Sequence, residues 1–170
     1  KNGGAIKIPQ WGKFYLSVLN VYDWKGNDAL LPEMWKFPKW MPFHPGKYWC
    51  HNRMIFLPMS YCFGKKVTAE LTPFIEELRK EIYTTDYDSI NWKKARREAC
   101  EIDIFHPVNK WYYRLSNFTN WYERVYSTRF RRKALKYVED YIDHEDIHTR
   151  YINIGPVNQA INSICVWHNH

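Results

Sequence analysis

IPQWGKFYLSVLNVYDWKG, residues 8–26, sets the fold class. Trp11, Phe14, Tyr15, Val18, Leu19 and Tyr22 recur at steps of three and four, the spacing of one helix face. Pro9 stands just ahead of the run, where a helix tolerates it, and Gly26-Asn27 is the expected stop.

The same period returns along the chain. Thr72-Pro73 reads as an N-cap followed by proline at the first helical position. Glu76 and Glu77 come early and Arg79 and Lys80 late, as the helix dipole favours, and Phe74, Leu78 and Ile82 form the expected buried stripe. Trp92, Ala95 and Ala99 mark a short helix, and Val108, Trp111, Leu115, Phe118 and Tyr122 a long one. Phe130, Ala134, Leu135, Val138 and Tyr141 mark another. Gly155-Pro156 opens the last, with Val157, Ala160, Ile161 and Ile164 inward. Between residues 31 and 48, Pro32, Pro38, Pro42 and Pro45 leave room only for a short turn of helix around Glu33 to Trp35. No stretch alternates strictly and no repeat recurs at a fixed period. The predicted class is all-α, a single domain over residues 1–170.

With 170 residues the chain is long enough for a hydrophobic core. Its unusual property is an aromatic content of 18%, including 9 Trp. Such side chains suit cores, interfaces and pockets for cations or flat ligands. The formal charge of +7 fits an anionic partner or an ordinary soluble surface. Cys50, Cys62, Cys100 and Cys165 form no CxxC pair and read as reduced thiols. No run reaches the ~18 apolar residues of a spanning helix. The chain opens on Lys1, and INSICVWHNH still reads as helix at its end, so a segment of a longer polypeptide is expected.

His144-Glu145-Asp146-Ile147-His148 matches H-E-x-x-H, a pattern that grips zinc when both His share a helix face and the Glu acts as base. Here it is crowded by Asp140 and Asp143 at a helix end, which favours a solvated acidic turn; no metal is expected. Arg129, Arg131, Arg132, Lys133 and Lys136 share a helix with Phe130, Ala134 and Val138. They read as its wet side, and no nucleic-acid partner is expected. Cys50-His51 as a nucleophile pair is disfavoured, because neighbours on a helix point about 100° apart.

Trp49 and His51 stand two apart after the Pro45-Gly46 turn. In extended backbone both rings face one way. A helix fits from about Asn52, which shares a face with Phe56, and Pro58 inside it predicts a kink or irregular turn.

Together, IPQWGKFYLSVLNVYDWKG, LLPEMWKFP, HPGKYWCHNRMIFLPMSY, TPFIEELRKEIY and TRYINIGPVNQAIN resemble the oxidosqualene cyclase family, in order and spacing, over residues 3–167. The resemblance implies part of an α/α toroid, a segment of the N-terminal half truncated at both ends. It also implies an isomerase that converts oxidosqualene to a sterol precursor such as lanosterol through ring-closing carbocations, without a cofactor. The family's catalytic acid, the Asp of D-C-T-A-E, lies outside these residues, so the segment alone is expected to be inactive. The remaining half of the same polypeptide is an implied partner.

By resemblance, Trp11, Trp49, His51, Ile154, Pro156 and Val157 match positions that line the substrate cavity. Aromatic faces stabilise a passing carbocation by about 0.5–2 kcal/mol each without trapping it as an adduct. The counterpart of His51 is a candidate for cation stabiliser or terminal base. Asn52 and Phe56 match the channel gate, where the family usually reads W-C-H-C-R and many members have Tyr in place of Phe56. The resemblance further implies a monotopic enzyme on the cytosolic face of endoplasmic reticulum or lipid droplet. Met54 to Phe63, followed by Lys65 and Lys66, reads equally as its lipid-facing patch or as a core helix with a basic end. Two rivals remain at this point: a helical interaction module with a basic surface, and a zinc hydrolase built on His144 and His148.

Overall fold

The computed structural model describes residues 4–104, 106 and 108–169. Among them there is no strand, and short 3₁₀ turns link the α-helices. These are α1 (Gln10–Val18), α2 (Cys50–Lys65), α3 (Pro73–Ile82), α4 (Trp92–Ala95), α5 (Lys110–Val125), α6 (Thr128–His148) and α7 (Pro156–Asn169). The chain forms two compact units, one of Lys1–Ala29 with Thr68–Asn120, the other of Leu30–Val67 with Trp121–His170.

In the first unit Val21, Tyr22, Tyr83, Trp92 and Ala95 form a buried cluster. Helix α3 covers it with Ile75, Leu78 and Ile82, while Phe74, expected inward, is 71% exposed. The reason is phase: at 100° per residue, Ile75, Leu78 and Ile82 fall within about 60° of arc, against about 80° for a stripe that starts at Phe74. Thr72 caps the helix as expected, its Oγ1 accepting the Ile75 N–H at 3.4 Å. Lys13, on α1 among apolar neighbours, is wholly buried. Its Nζ donates to the carbonyls of Ala95 (2.8 Å), Arg96 (3.2 Å) and Glu98 (2.7 Å), at and just beyond the end of α4.

Helix α5 reverses the sequence expectation. Trp111 and Phe118 are exposed, while Ser116 and Thr119 are buried. Its docking is polar: Asp28 accepts from the Tyr112 hydroxyl (2.7 Å), Ser116 Oγ (2.7 Å) and Asn120 Nδ2 (3.2 Å).

In the second unit α6 packs on the Pro32–Lys36 turn, and α2 packs on α6 and α7. Ala134 and Val138 face inward as expected, joined by Ile142 in place of Tyr141, which is 37% exposed. Arg131, taken from the sequence as part of a wet basic face, also faces inward. Its Nε donates to Glu33 Oε1 at 2.5 Å and its Nη2 to Glu123 Oε2 at 2.6 Å. Helix α7 buries Asn158, Ile161, Asn162 and Cys165, and Val157 and Ala160 stay exposed. The inward face is rotated because the two amides are claimed by partners on α2 and α6.

Three helices stop in the same way. Asn20, Lys66 and Arg150 take φ of 62°, 55° and 53°. The amides after them reach back to Leu16 (2.7 Å), Cys62 (2.9 Å) and Asp146 (2.8 Å), a Schellman closure made here without glycine. The stop expected at Gly26-Asn27 belongs instead to a separate 3₁₀ turn, Trp24–Gly26.

Candidate functional site

The start of α2 is set by the loop before it. His44 accepts the Gly46 N–H on Nδ1 at 2.9 Å and shapes the Pro45–Lys47 turn. Tyr48 and Trp49 follow in extended backbone, with ψ of 154° and 142°. The helix then begins at Cys50, ahead of the expected Asn52, so Trp49 is its N-cap residue and His51 lies in its first turn. An extended residue followed by a helical one still brings the rings together: the Trp49 and His51 centroids are 4.3 Å apart at 33°. Both side chains are exposed, Trp49 to 65%.

Cys50 Sγ lies 3.3 Å from His51 Nδ1. This corrects the sequence expectation that adjacent residues would not form the pair. On the first turn of a helix, rotation about two short side chains is enough to close the gap. The contact can form with either tautomer of the ring. With Nδ1–H directed at sulfur, Nε2 keeps a lone pair for a proton; with the thiol donating, the proton sits on Nε2 and the ring offers only its face.

Asn52 is exposed, and Phe56, one turn on, is half-buried. Phe56 meets Tyr48 edge-on (5.8 Å, 80°) and Trp35 at a tilt (6.2 Å, 42°), so aromatic rings hold it where a hydroxyl would have needed a partner.

Of the kink or irregular turn expected at Pro58, no irregular turn forms: α2 runs from Cys50 to Lys65 with Pro58 inside it. The missing amide of Pro58 leaves the Met54 carbonyl without its helical donor. Asn158 Nδ2 supplies one from α7, at 3.1 Å. Asn158 Oδ1 accepts the Ile154 N–H at 3.2 Å, which ties the Ile154–Val157 segment to α2 three residues beyond His51. Asn158 also donates to Asn162 (3.2 Å), and Asn162 donates to Glu145 (3.2 Å) and Asp146 (3.1 Å) on α6. Burial raises the Glu145 carboxyl above its ordinary range, opposed by the hydrogen bonds from Asn162 and Asn158. Ile154 is half-buried; Pro156, first residue of α7, and Val157 are exposed.

Trp11 belongs to the first unit, in the first turn of α1, and is 50% exposed. Two cavities in that unit involve none of these residues. One of about 500 Å³ is lined by α3 and the loop after it, including Arg79, Tyr83, Thr85 and Asp86. The other, about 280 Å³, includes Lys13, Asp28 and Tyr112.

His144 and His148 stack on the exposed side of α6, centroids 6.0 Å apart. Glu145 points the other way, into its hydrogen bond with Asn162, and is no base for a metal held by the two imidazoles. Among the described residues no three or more His, Cys, Asp or Glu stand together to hold a metal ion.

Most of the apolar run Met54–Phe63 is buried, including Met54, Leu57, Pro58, Tyr61, Cys62 and Phe63, while Ile55, Phe56 and Met59 are half-buried. No helix among the described residues is long and apolar enough to cross a membrane. The exposed aromatics near this site are instead Trp40, Phe43 and Trp49 in and beside the proline-rich loop. Asn158, Asn162, Glu33 and Lys13 were missed in the sequence. Asn158 and Asn162 had a signal, two amides at i and i+4 on an otherwise apolar helix.

Residues 1–167 match the squalene-hopene cyclase N-terminal domain. Cycloartenol synthase of Dictyostelium discoideum is 44% identical over 98% of this chain and 24% of the relative. Lanosterol synthase of Mus musculus is 42% identical, covering 98% and 23%. Lanosterol synthase of Homo sapiens is 41% identical, covering 99% and 23%. The chain thus spans about a quarter of the length of these relatives.

Proposed function

Because the chain belongs to the squalene-hopene cyclase N-terminal domain family, we propose that it is the part of a triterpene cyclase that walls the cavity in which oxidosqualene is folded and closed into rings. The all-α architecture is the class that the family's α/α toroid requires. The observation that carries the proposal is the Trp49–His51 pair, two exposed rings 4.3 Å apart at the head of α2. Their negative faces attract a carbocation, and neither carries an anion that would capture it. Asn158 braces the neighbouring wall segment, Ile154 to Val157, against the same helix. The catalytic acid and the rest of the cavity are assigned to the remainder of the polypeptide.

His51 has two roles open to it, distinguished by where the proton sits in the Cys50 contact. As the Nδ1–H tautomer it takes the terminal proton on Nε2; as the other tautomer it is a wall ring only. Asn52 and Phe56 are assigned to the channel gate, where an exposed amide and a ring held by Tyr48 and Trp35 set the polarity of entry.

Membrane attachment at the face where substrate enters is part of the same proposal. With most of the α2 apolar run buried, the lipid contact is assigned to Trp40, 78% exposed, and Phe43, flanked by Lys36, Lys39 and Lys47. The site is then on a monotopic enzyme at the cytosolic face of endoplasmic reticulum or a lipid droplet.

Turnover of oxidosqualene by the full-length enzyme tests the proposal. Trp49→Phe keeps a ring and is expected to keep most activity. Trp49→Leu keeps apolar volume without the ring and is expected to lose about 2- to 30-fold in rate, the worth of one cation–π contact, with partly cyclised products. Equal rates and identical products from both variants would remove Trp49 from the wall.

A further inference from the structure

The H-E-x-x-H stretch is not absorbed by the cyclase assignment. It sits on the last turns of α6 with its two imidazoles outward and its two carboxylates inward. His144 and His148 are parallel within 13° and 6.0 Å apart, the rise of four helical residues. Glu145 and Asp146 are buried and held by Asn162. Asp140, one turn earlier, is occupied by Lys136 at 3.0 Å. The outward face therefore offers two nitrogen ligands at chelating spacing, and the residue that would make a hydrolase faces the core.

We propose that His144 and His148 form a bidentate site for one divalent transition cation of the zinc, nickel or copper class, with water completing the coordination. Bonds of about 2.0–2.1 Å from each imidazole nitrogen require the two nitrogens to approach to roughly 3 Å. Both side chains are exposed, so rotation about their χ angles closes that gap without moving the helix. Imidazole selects this cation class, whereas calcium and magnesium demand about six or more oxygen ligands, more than the exposed carboxylates Asp140, held by Lys136, and Asp143 supply. The bound ion bridges the final turn of α6, immediately before the Schellman closure at Arg150 and Tyr151. It thereby steadies the turn whose Glu145 and Asp146 anchor α7 through Asn162. The site performs no hydrolysis; it is a clip on the helix end.

Calorimetric titration of the full-length enzyme with zinc or nickel chloride, read against its His144→Gln and His148→Gln variants, tests the site. About one cation is expected to bind per chain, with no binding of magnesium. Loss of an outer-shell partner alone costs about tenfold in metal affinity, so His144→Gln and His148→Gln, each removing a direct ligand, should each weaken binding by at least that factor. His168→Gln should leave it unchanged. Thermal melts of the same proteins supply a second readout: the cation should raise Tm in the parent and not in His148→Gln. Unchanged affinity in His144→Gln or His148→Gln, dependence on His168, or a parent Tm that the cation does not move would each overturn the proposal.

Discussion

Asn158 Nδ2 on α7 donates to the Met54 carbonyl of α2, the acceptor that Pro58 leaves without its helical partner. A proline that would bend an isolated helix is accommodated here because another helix carries the missing donor. The bond also explains why an amide occupies a fully buried position on α7.

The pair is expected to be coupled. Asn158→Ala leaves the buried Met54 carbonyl and the part-buried Ile154 amide without that partner, at a cost of about 1–3 kcal/mol. In a Pro58→Ala background residue 58 donates to Met54 itself, and the same change should cost less, by about 0.5–1.5 kcal/mol. Urea unfolding of the four proteins measures the coupling; strictly additive costs would dissolve the link.

Glu33 is wholly buried against Arg131. Removing it leaves a buried guanidinium with Glu123 as its remaining carboxylate, so Glu33→Ala should destabilise the protein by about 3 kcal/mol, the low end for a broken buried pair. The double replacement Glu33→Leu with Arg131→Met should be markedly less harmful than either single change. Denaturation midpoints decide between them.

Arg150 holds a left-handed conformation, φ 53°, that costs a side-chain-bearing residue about 1–2 kcal/mol. Arg150→Gly should therefore stabilise the protein by roughly 0.5–1 kcal/mol after the entropy that glycine gains on unfolding. A lowered melting temperature would mean that the arginine side chain makes a contact worth more than the strain.

Burial lowers Lys13 from 10.5 to about 8, against the attraction of Asp28 and Glu98. Between those values the unfolded chain binds the proton more tightly than the folded one, so the charged lysine's burial penalty is complete below about 8 and fades toward 10.5. Stability relative to Lys13→Met should accordingly rise as pH is taken from 7.5 to about 9.5, below the range where the buried tyrosines titrate. A difference that stays flat across that window would contradict the lowered value.

Much of the architecture was legible before any coordinates. Helical period, the Thr72-Pro73 start and the Gly155-Pro156 start each express local backbone physics, and all of them appear where expected. The blocks around Trp11, Trp49 and Ile154 also carried the family resemblance. Illegible were the helix ends at Asn20, Lys66 and Arg150, because closure there depends on long-range packing that holds a non-glycine residue left-handed. Equally hidden were the inward faces of α5 and α7. Polar partners set those faces, and apolar spacing does not report them.

By itself, then, the sequence determined the helical class, most helix starts and the family, since each rests on contacts within a few residues or on a run of matching residues. Only the tertiary structure decided the buried faces of α5 and α7, that Arg131 and Lys13 lie inside, and that Cys50 touches His51. Those outcomes depend on which acceptors and donors other segments leave unpaired, and a buried polar group is stable only where such a partner waits for it.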